Sequence, residues 1–283
     1  MTLGIKVGPQ KQSFIDLEQT NTPFAEVWFD VSRKNEYTEL FTILKRRTMQ
    51  VGLHFWGALP DGTWTNIAYP DAHLINASVN LIQQAIDVAS EWHFQYVNIH
   101  PGSMAKLSID LETMAIRVVK KPVALSVAQD NFMESAVKLT EYANNRDVVF
   151  TVETVPMRIT NWSAKKAQHD PTNIRDGYEL PISAIESAAA GGVAAANDFG
   201  HTAAILADNP KDIWNHLKEK TMALAPYTRL IHLGFVTPPY NGTDAHDHLD
   251  NQLLITDDAI PNRLQMIELL KLFVNLSDVW ILC

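Results

Sequence analysis

Five apolar runs in succession each carry, at or near their end, a side chain able to bind a metal ion or carry a proton. They are VGLHFW with His54, YVNIHPG with His100, VVFTVETV with Glu153, VAAANDFGH with Asp198 and His201, and RLIHLGF with His232. The loop GTDAHDH, just past the last of them, adds Asp244, His246 and His248. A histidine that closes one apolar run is ordinarily a hydrogen-bonded core residue, so His54 or His232 alone would carry no argument. His100 is better placed, because the Pro-Gly that follows ends the strand and leaves the imidazole at its rim. Glu153 is stronger, since a carboxylate inside VVFTVETVP would be costly to bury without a cation. Asp198 and His201, as D-x-x-H at a strand end, can turn towards one centre. Asp244 and His246, as D-x-H on extended chain, project to the same side; His248 continues that alternation, so either histidine can be the loop's ligand. Imidazoles and carboxylates in this mixture suit zinc first, with manganese, magnesium and cobalt as alternatives.

Side chains so far apart in sequence meet only if the runs that carry them share one end of a sheet. The chain alternates strand and helix throughout, as a parallel sheet with crossover helices requires. LGIKVG leads to SFIDLEQ, AEVWFDV to EYTELFTILKRR, and VGLHFW through a loop to INASVNLIQQAIDVASEW, where Leu74, Val79, Ile82, Ile86 and Ala89 fall at helical spacing. MESAVKLTEYANN, ISAIESAAAGG, NPKDIWNHLKEKT and PNRLQMIELLKLFVN supply later helices, and VWILC is an eighth apolar run. The pattern predicts a (β/α)8 barrel, a TIM barrel of α/β class over residues 1–283 as one domain, with its chemistry at the C-terminal mouth of the strands. No helix follows the last strand in the chain.

At 46% hydrophobic and 19% charged residues the chain can bury one large core. Its one cysteine, Cys283, excludes an internal disulfide, and the start MTLGIKVGPQ lacks the basic and apolar segments of a signal peptide, so the expectation is a cytoplasmic protein without a membrane partner. A net charge of −9 argues against a broad basic face for nucleic acid, although bound divalent ions would reverse the sign locally. Two connections are longer than a barrel needs. One, after Ser103, contains KLSIDLETMAIRVVK, whose alternation predicts a hairpin over the mouth. The other, RITNWSAKKAQHDPTNIRDGYEL, gathers Arg158, Trp162, Lys165 and Lys166, the best local basic and aromatic cluster and the candidate substrate-binding residues.

These residues resemble the xylose isomerase-like barrels, the family-2 AP endonuclease group, and within them the endonuclease IV branch. NIHPGS is similar to that branch's fourth strand end, VETVP to its glutamate-bearing fifth, NDFGHTAA to its aspartate–histidine pair, and the stretch from His232 to Asp244 and His246 has nearly its spacing. The resemblance implies that His54 and His100 hold one ion, that Glu153 bridges it to a second on Asp198 and His232, and that His201, Asp244 and His246 hold a third. It further implies hydrolysis of phosphodiesters, with Glu153 and His201 as the candidate catalytic residues.

The departures matter as much. The branch ends its eighth strand in a metal-binding glutamate, where VWILC offers Cys283. HLGF replaces its histidine-x-asparagine-aspartate stretch, Ala245 replaces a basic residue, and its DNA-gripping loops after the first two strands have no counterpart. The alternative implied by the wider family is a sugar or sugar-phosphate isomerase or epimerase, in which one cation polarises the substrate and two opposed carboxylates move protons. A third reading is a metal-binding relic without catalysis. Expected partners are accordingly a phosphoester or sugar-type small substrate, with DNA disfavoured by charge. A second copy of the chain would cover the flank that lacks an eighth helix.

Overall fold

The structure, a computed structural model, describes residues 1–110, 115–156, 178–205, 209–240, 242 and 244–283. Eight strands form a closed barrel: β1 (Thr2–Val7), β2 (Phe24–Phe29), β3 (Gln50–Phe55), β4 (Tyr96–Ile99), β7 (Val149–Glu153), β8 (Ala194–Asp198), β9 (Thr228–His232) and β12 (Trp280–Leu282). Each is parallel to the barrel strand that follows it in sequence, and β12 closes the ring against β1. The four remaining strands are two antiparallel pairs at the mouth: β5 (Lys106–Asp110) with β6 (Ala115–Lys120), which is the hairpin predicted from alternation, and β10 (Phe235–Val236) with β11 (Asp244–Ala245). Among the described residues, no helix is long and apolar enough to cross a membrane.

Local signals explain the crossovers. The helix Ala72–Trp92 starts where the Asp71 carboxylate accepts from the Leu74 N–H at 3.2 Å, and it ends at His93 in the left-handed conformation. Its face of Leu74, Ile82, Ala85, Ile86 and Ala89 is buried against the barrel, as the helical spacing requires. The helix Arg263–Leu270 opens on a reciprocal cap between Asn262 and Gln265.

Strand alternation sorts the barrel's own residues into an outer set under the helices and an inner set on the axis. Low on the axis, Phe24, Tyr96, Ala196, Leu230, Trp280 and Leu282 pack into an apolar plug. Its large rings fit because glycines face them. Gly52 lies opposite Tyr96 in register, and a Cβ there would run into the Tyr96 ring; Gly4 stands in the same relation to Phe24. One step higher on the same inward alternation come Lys6, Glu26, His54, Asn98, Glu153, Asp198 and His232. The plug is therefore the dry floor beneath every polar group on the axis.

This packing predicts that Gly52→Ala costs about 1–3 kcal/mol, the usual penalty for overfilling a tight core. Urea unfolding checks it, and a loss below about 0.5 kcal/mol would show that the Tyr96 ring can yield.

Candidate metal centre

Each ligand candidate reaches the axis because it ends a barrel strand or begins the loop after it. His54 and Glu153 lie in the last turns of β3 and β7, and Asp198 and His232 end β8 and β9 as cross-strand partners. Asp198 also caps the short helix Phe199–Ala203: its Oδ1 accepts from the His201 N–H at 2.8 Å, which is how D-x-x-H delivers both side chains to one place. Two glycines let the last loop in. A Cβ on Gly200 would lie 2.9 Å from the Gly234 Cα, and one on Gly234 would lie 2.9 Å from the His246 ring. The β10–β11 pair then places Asp244 beside His201 and His246.

Four groups of ligand atoms result, each within 4.8 Å of one another: His54–His100–Glu153, Glu153–Asp198–His232, Asp198–His201–His246, and Glu26–His54–His232. In the first, Glu153 lies 3.5 Å from His54 Nε2 and 3.7 Å from His100 Nε2. In the second, His232 Nδ1 lies 3.2 Å from Glu153 Oε1 and 3.3 Å from Asp198 Oδ2. At the rim, His246 Nε2 is 3.4 Å from Asp198 Oδ2 and 3.0 Å from Asp244 Oδ2, which is itself 3.6 Å from His201 Nε2. Ligands about 2.0–2.2 Å from a tetrahedral zinc ion stand about 3.3–3.6 Å apart, close to these spacings. The buried His54 Nε2, His100 Nε2 and Asp198 Oδ2 have no hydrogen-bond partner, an expensive condition that an ion would relieve. The residues present thus fit divalent metal.

The surroundings hold the rings in place. Asn98 donates to Glu153 Oε2 and accepts from Thr151 at 2.9 Å. His201 Nδ1 bonds the Thr154 carbonyl at 2.8 Å, which leaves Nε2 towards Asp244. Trp28 stacks on His54 with centroids 5.6 Å apart, and Trp56 meets His100 edge-on at 5.5 Å, so an aromatic wall flanks one side of the centre.

Electrostatics separate the histidines. Burial would depress the His232 imidazole, but Glu153 and Glu26 outweigh it and hold the pKa well above the ordinary value. Burial is likewise overcome at His201 by Asp198 and Asp244, which raise it to about 9. His100, where burial dominates, falls to about 4, and burial together with Lys6 lowers His54. Burial raises the carboxyls of Glu153 and Glu26, yet neighbouring imidazoles, with Lys6 at Glu26, bring both well below the usual range.

All eight predicted ligands, His54, His100, Glu153, Asp198, His201, His232, Asp244 and His246, come together in this region. His248 does not: it is exposed and lines a separate cleft with Leu3, Thr20 and Cys283. Arg158, Trp162, Lys165 and Lys166 lie outside the described residues. The expectation for the eighth strand needs correction. Leu282, not Cys283, pairs with His232 and joins the plug, whereas Cys283 packs with the outer cluster that includes Phe273 and Ile281. Burial there pushes its thiol up to about 11. Period-2 alternation turns position 283 off the axis, so the thiol cannot stand in for a glutamate facing the centre.

Sequence reasoning also missed Glu26 and Lys6. Glu26 is fully buried on β2; Tyr96 Oη donates to it at 2.8 Å, and His54 Nδ1, His232 Nε2 and Lys6 Nζ lie 3.3, 3.2 and 3.3 Å from its oxygens. The signal was present: a carboxylate inside FAEVWF is the same anomaly that singled out Glu153.

No family model matches the chain, and no curated protein matches its sequence. Solved structures do. A D-tagatose 3-epimerase-like protein matches with a TM-score of 0.63 at 16% identity, covering 100% of this chain and 90% of its own. D-psicose 3-epimerase from Clostridium cellulolyticum gives 0.59 at 12% identity, with coverages of 100% and 84%. Endonuclease IV from Thermus thermophilus gives 0.55 at 14% identity, with 100% and 91%. These likenesses bear out the resemblance at the level of the fold, a closed parallel (β/α)8 barrel.

A proton count tests the centre directly. Ligation needs neutral imidazoles, and His201 at about 9 carries its proton at pH 7. Zinc added to chelator-stripped protein in weak buffer at pH 7 should release protons, with affinity rising as pH climbs towards about 9, where His201 gives up its own. The same raised pKa makes charged His201 stabilising below its ordinary 6.5, a contribution lost as pH passes about 9. His100, at about 4, adds no proton above about pH 5. A pH-stat titration that finds no release at pH 7 would contradict this assignment.

Proposed function

We propose that this chain is a divalent-metal-dependent hydrolase of phosphoesters with a polynuclear centre. One observation carries the reading: the ligand groups share carboxylates. Glu153 belongs both to the group with His54 and His100 and to the group with Asp198 and His232, and Asp198 belongs also to the group with His201 and His246. A one-ion enzyme needs one such set, whereas contiguous sets joined through common carboxylates suit adjacent ions acting on one phosphate.

In this reading His54, His100 and Glu153 hold the first ion, Glu153, Asp198 and His232 the second, and His201, Asp244 and His246 the third, with Asp198, 3.4 Å from His246, between the last two. The imidazole-rich donor set favours zinc over manganese, magnesium or cobalt. Bound ions would supply Lewis acidity and neutralise the charge that builds on the phosphate oxygens. The chain's own residues do the rest. Asn98 fixes the Glu153 carboxylate, and the Thr154 carbonyl fixes the His201 tautomer, which commits His201 to ligand duty rather than proton transfer. Trp28 and Trp56 exclude water from one side, while Lys6, its side chain 31% exposed, extends a cation from the axis towards the mouth and can pair with a phosphate oxygen. Arg158, Lys165 and Lys166 would add positive charge for an anionic substrate, with Trp162 as a stacking surface.

A second reading, a sugar isomerase or epimerase, rests on Glu153, Asp198 and His232 taken alone as a one-ion site beside an aromatic wall of the kind sugar faces stack against. D-psicose 3-epimerase and the D-tagatose 3-epimerase-like protein, which have the same fold, support it.

Metal stoichiometry separates the readings. Two or three ions per chain, with cleavage of abasic-site DNA or bis(p-nitrophenyl) phosphate, is the expected result. One ion, with interconversion of ketohexoses, would replace the hydrolase with the epimerase. Glu153→Gln should lose at least one ion and lower turnover by no less than the roughly 10- to 100-fold that even outer partners of a metal site cost. Full metal content in that variant would remove Glu153 from its bridging role.

A further inference from the structure

The second buried carboxylate, Glu26, has no place in the assignment above, and it touches two of the proposed ligand histidines on their far sides. His54 turns Nε2, which has no hydrogen-bond partner, towards Glu153 at 3.5 Å and Nδ1 towards Glu26 at 3.3 Å. His232 turns Nδ1 towards Glu153 and Asp198 at 3.2 and 3.3 Å, and Nε2 towards Glu26 at 3.2 Å. A neutral imidazole offers one lone pair and one N–H. Each ring can therefore ligate on the Glu153 side or on the Glu26 side, not on both.

Two neighbours and the unsatisfied ligand atoms decide between them. Lys6 Nζ already brings a positive charge to the Glu26 side, 3.3 Å from Oε1 and 2.8 Å from His54 Nδ1, and Tyr96 Oη donates to Oε2 at 2.8 Å. The buried ligand atoms without a hydrogen bond, His54 Nε2, His100 Nε2 and Asp198 Oδ2, lie on the other side. A cation is present on the Glu26 side, and lone pairs without one face the Glu153 side. We propose that Glu26 is the positioning residue of the centre, one carboxylate that accepts the N–H of both His54 and His232 and so fixes the tautomer and ring orientation of two ligands on different ions. In the structure Lys6 Nζ can only donate to His54 Nδ1, so ligation through Nε2 requires the ammonium to give up that contact while keeping Glu26 at 3.3 Å and the Trp28 face at 4.9 Å. Such outer carboxylates orient ligands and raise their basicity. Here the carboxylate comes from the second strand, in a barrel whose eighth strand turns Leu282 to the axis.

The inference rests on the metal reading, and the experiment keeps the two apart. Zinc affinities of the chelator-stripped full chain are measured by competition with a chromophoric chelator for wild type, Glu26→Gln and His201→Asn, the last identifying the ion held at the rim. Glu26→Gln should weaken the ions on His54 and His232 by about 10- to 100-fold and leave the rim ion unchanged. Side-chain 15N spectra of the zinc-loaded wild type should place the proton on Nδ1 of His54 and Nε2 of His232. Unchanged affinities, an equal loss at every site, or protons on the opposite nitrogens would overturn the positioning role. Should Glu26→Gln not fold, Tyr96→Phe removes one donor from Glu26 and should weaken the same two ions by a smaller factor; no change there would also overturn it. A wild type that binds no zinc, manganese or cobalt would sink the metal reading and the inference with it.

Discussion

The constraint on which the rest depends is the burial of three carboxylates on the axis of the barrel. Glu26, Glu153 and Asp198 are each fully buried, a state that costs several kcal/mol per unpaired charge. His232 lies within 3.3 Å of all three, and Lys6, His54 and His201 share the remainder. Without those partners the carboxyls would take up protons or the barrel would open to water. The aromatic plug beneath makes the constraint stricter, because it closes the lower end of the axis to solvent. Every charge there must be answered from the mouth or from a neighbouring strand.

Much of this was legible in the sequence because strand ends are where alternation and chemistry coincide. A run of apolar residues fixes a strand, and a histidine or acid at its end is carried to the rim whatever the details of packing. Where that coincidence failed, so did the reading. Glu26 and Lys6 sit inside FAEVWF and GIKV, and a search for ends passes over them even though a charge within a short apolar run is itself a sign of inward burial. Cys283 was misplaced for a different reason. VWILC has no polar residue to set its phase, so the facing of the strand follows from pairing with His232 and Gly4, which no local pattern encodes. His246 and His248 share one alternation, and it is the docking of the loop over Gly234 that brings the former in and turns the latter out.

Likeness of fold does not extend these conclusions by itself. A sugar epimerase, an epimerase-like protein and an endonuclease share this barrel at identities of 12–16%, which is what a scaffold with chemistry grafted on its loops produces. The functional argument therefore lives in the donor set. Among the described residues five imidazoles and four carboxylates meet here once Glu26 and Asp244 are included, more than one ion can use. A protein that required a single cation would bear the desolvation of the remainder for nothing, and that imbalance favours several ions over one.

The donor set is also graded in depth. Glu26 and Glu153 are closed to solvent, the His100 side chain is 14% exposed, Asp244 18% and His246 39%. Desolvation strengthens the attraction between ligand and ion and slows exchange with water, so the pocket shared by Glu153, Asp198 and His232 should hold its ion most firmly. At the rim, His246 sits on a loop held by a two-residue strand pair and by contact with Gly234, and its ligands remain partly hydrated. An ion there would be bound more weakly and stand nearer to an arriving substrate. Were ions bound at each position, the deep ones would organise the site and the outer one would stand where it could meet the substrate's charge.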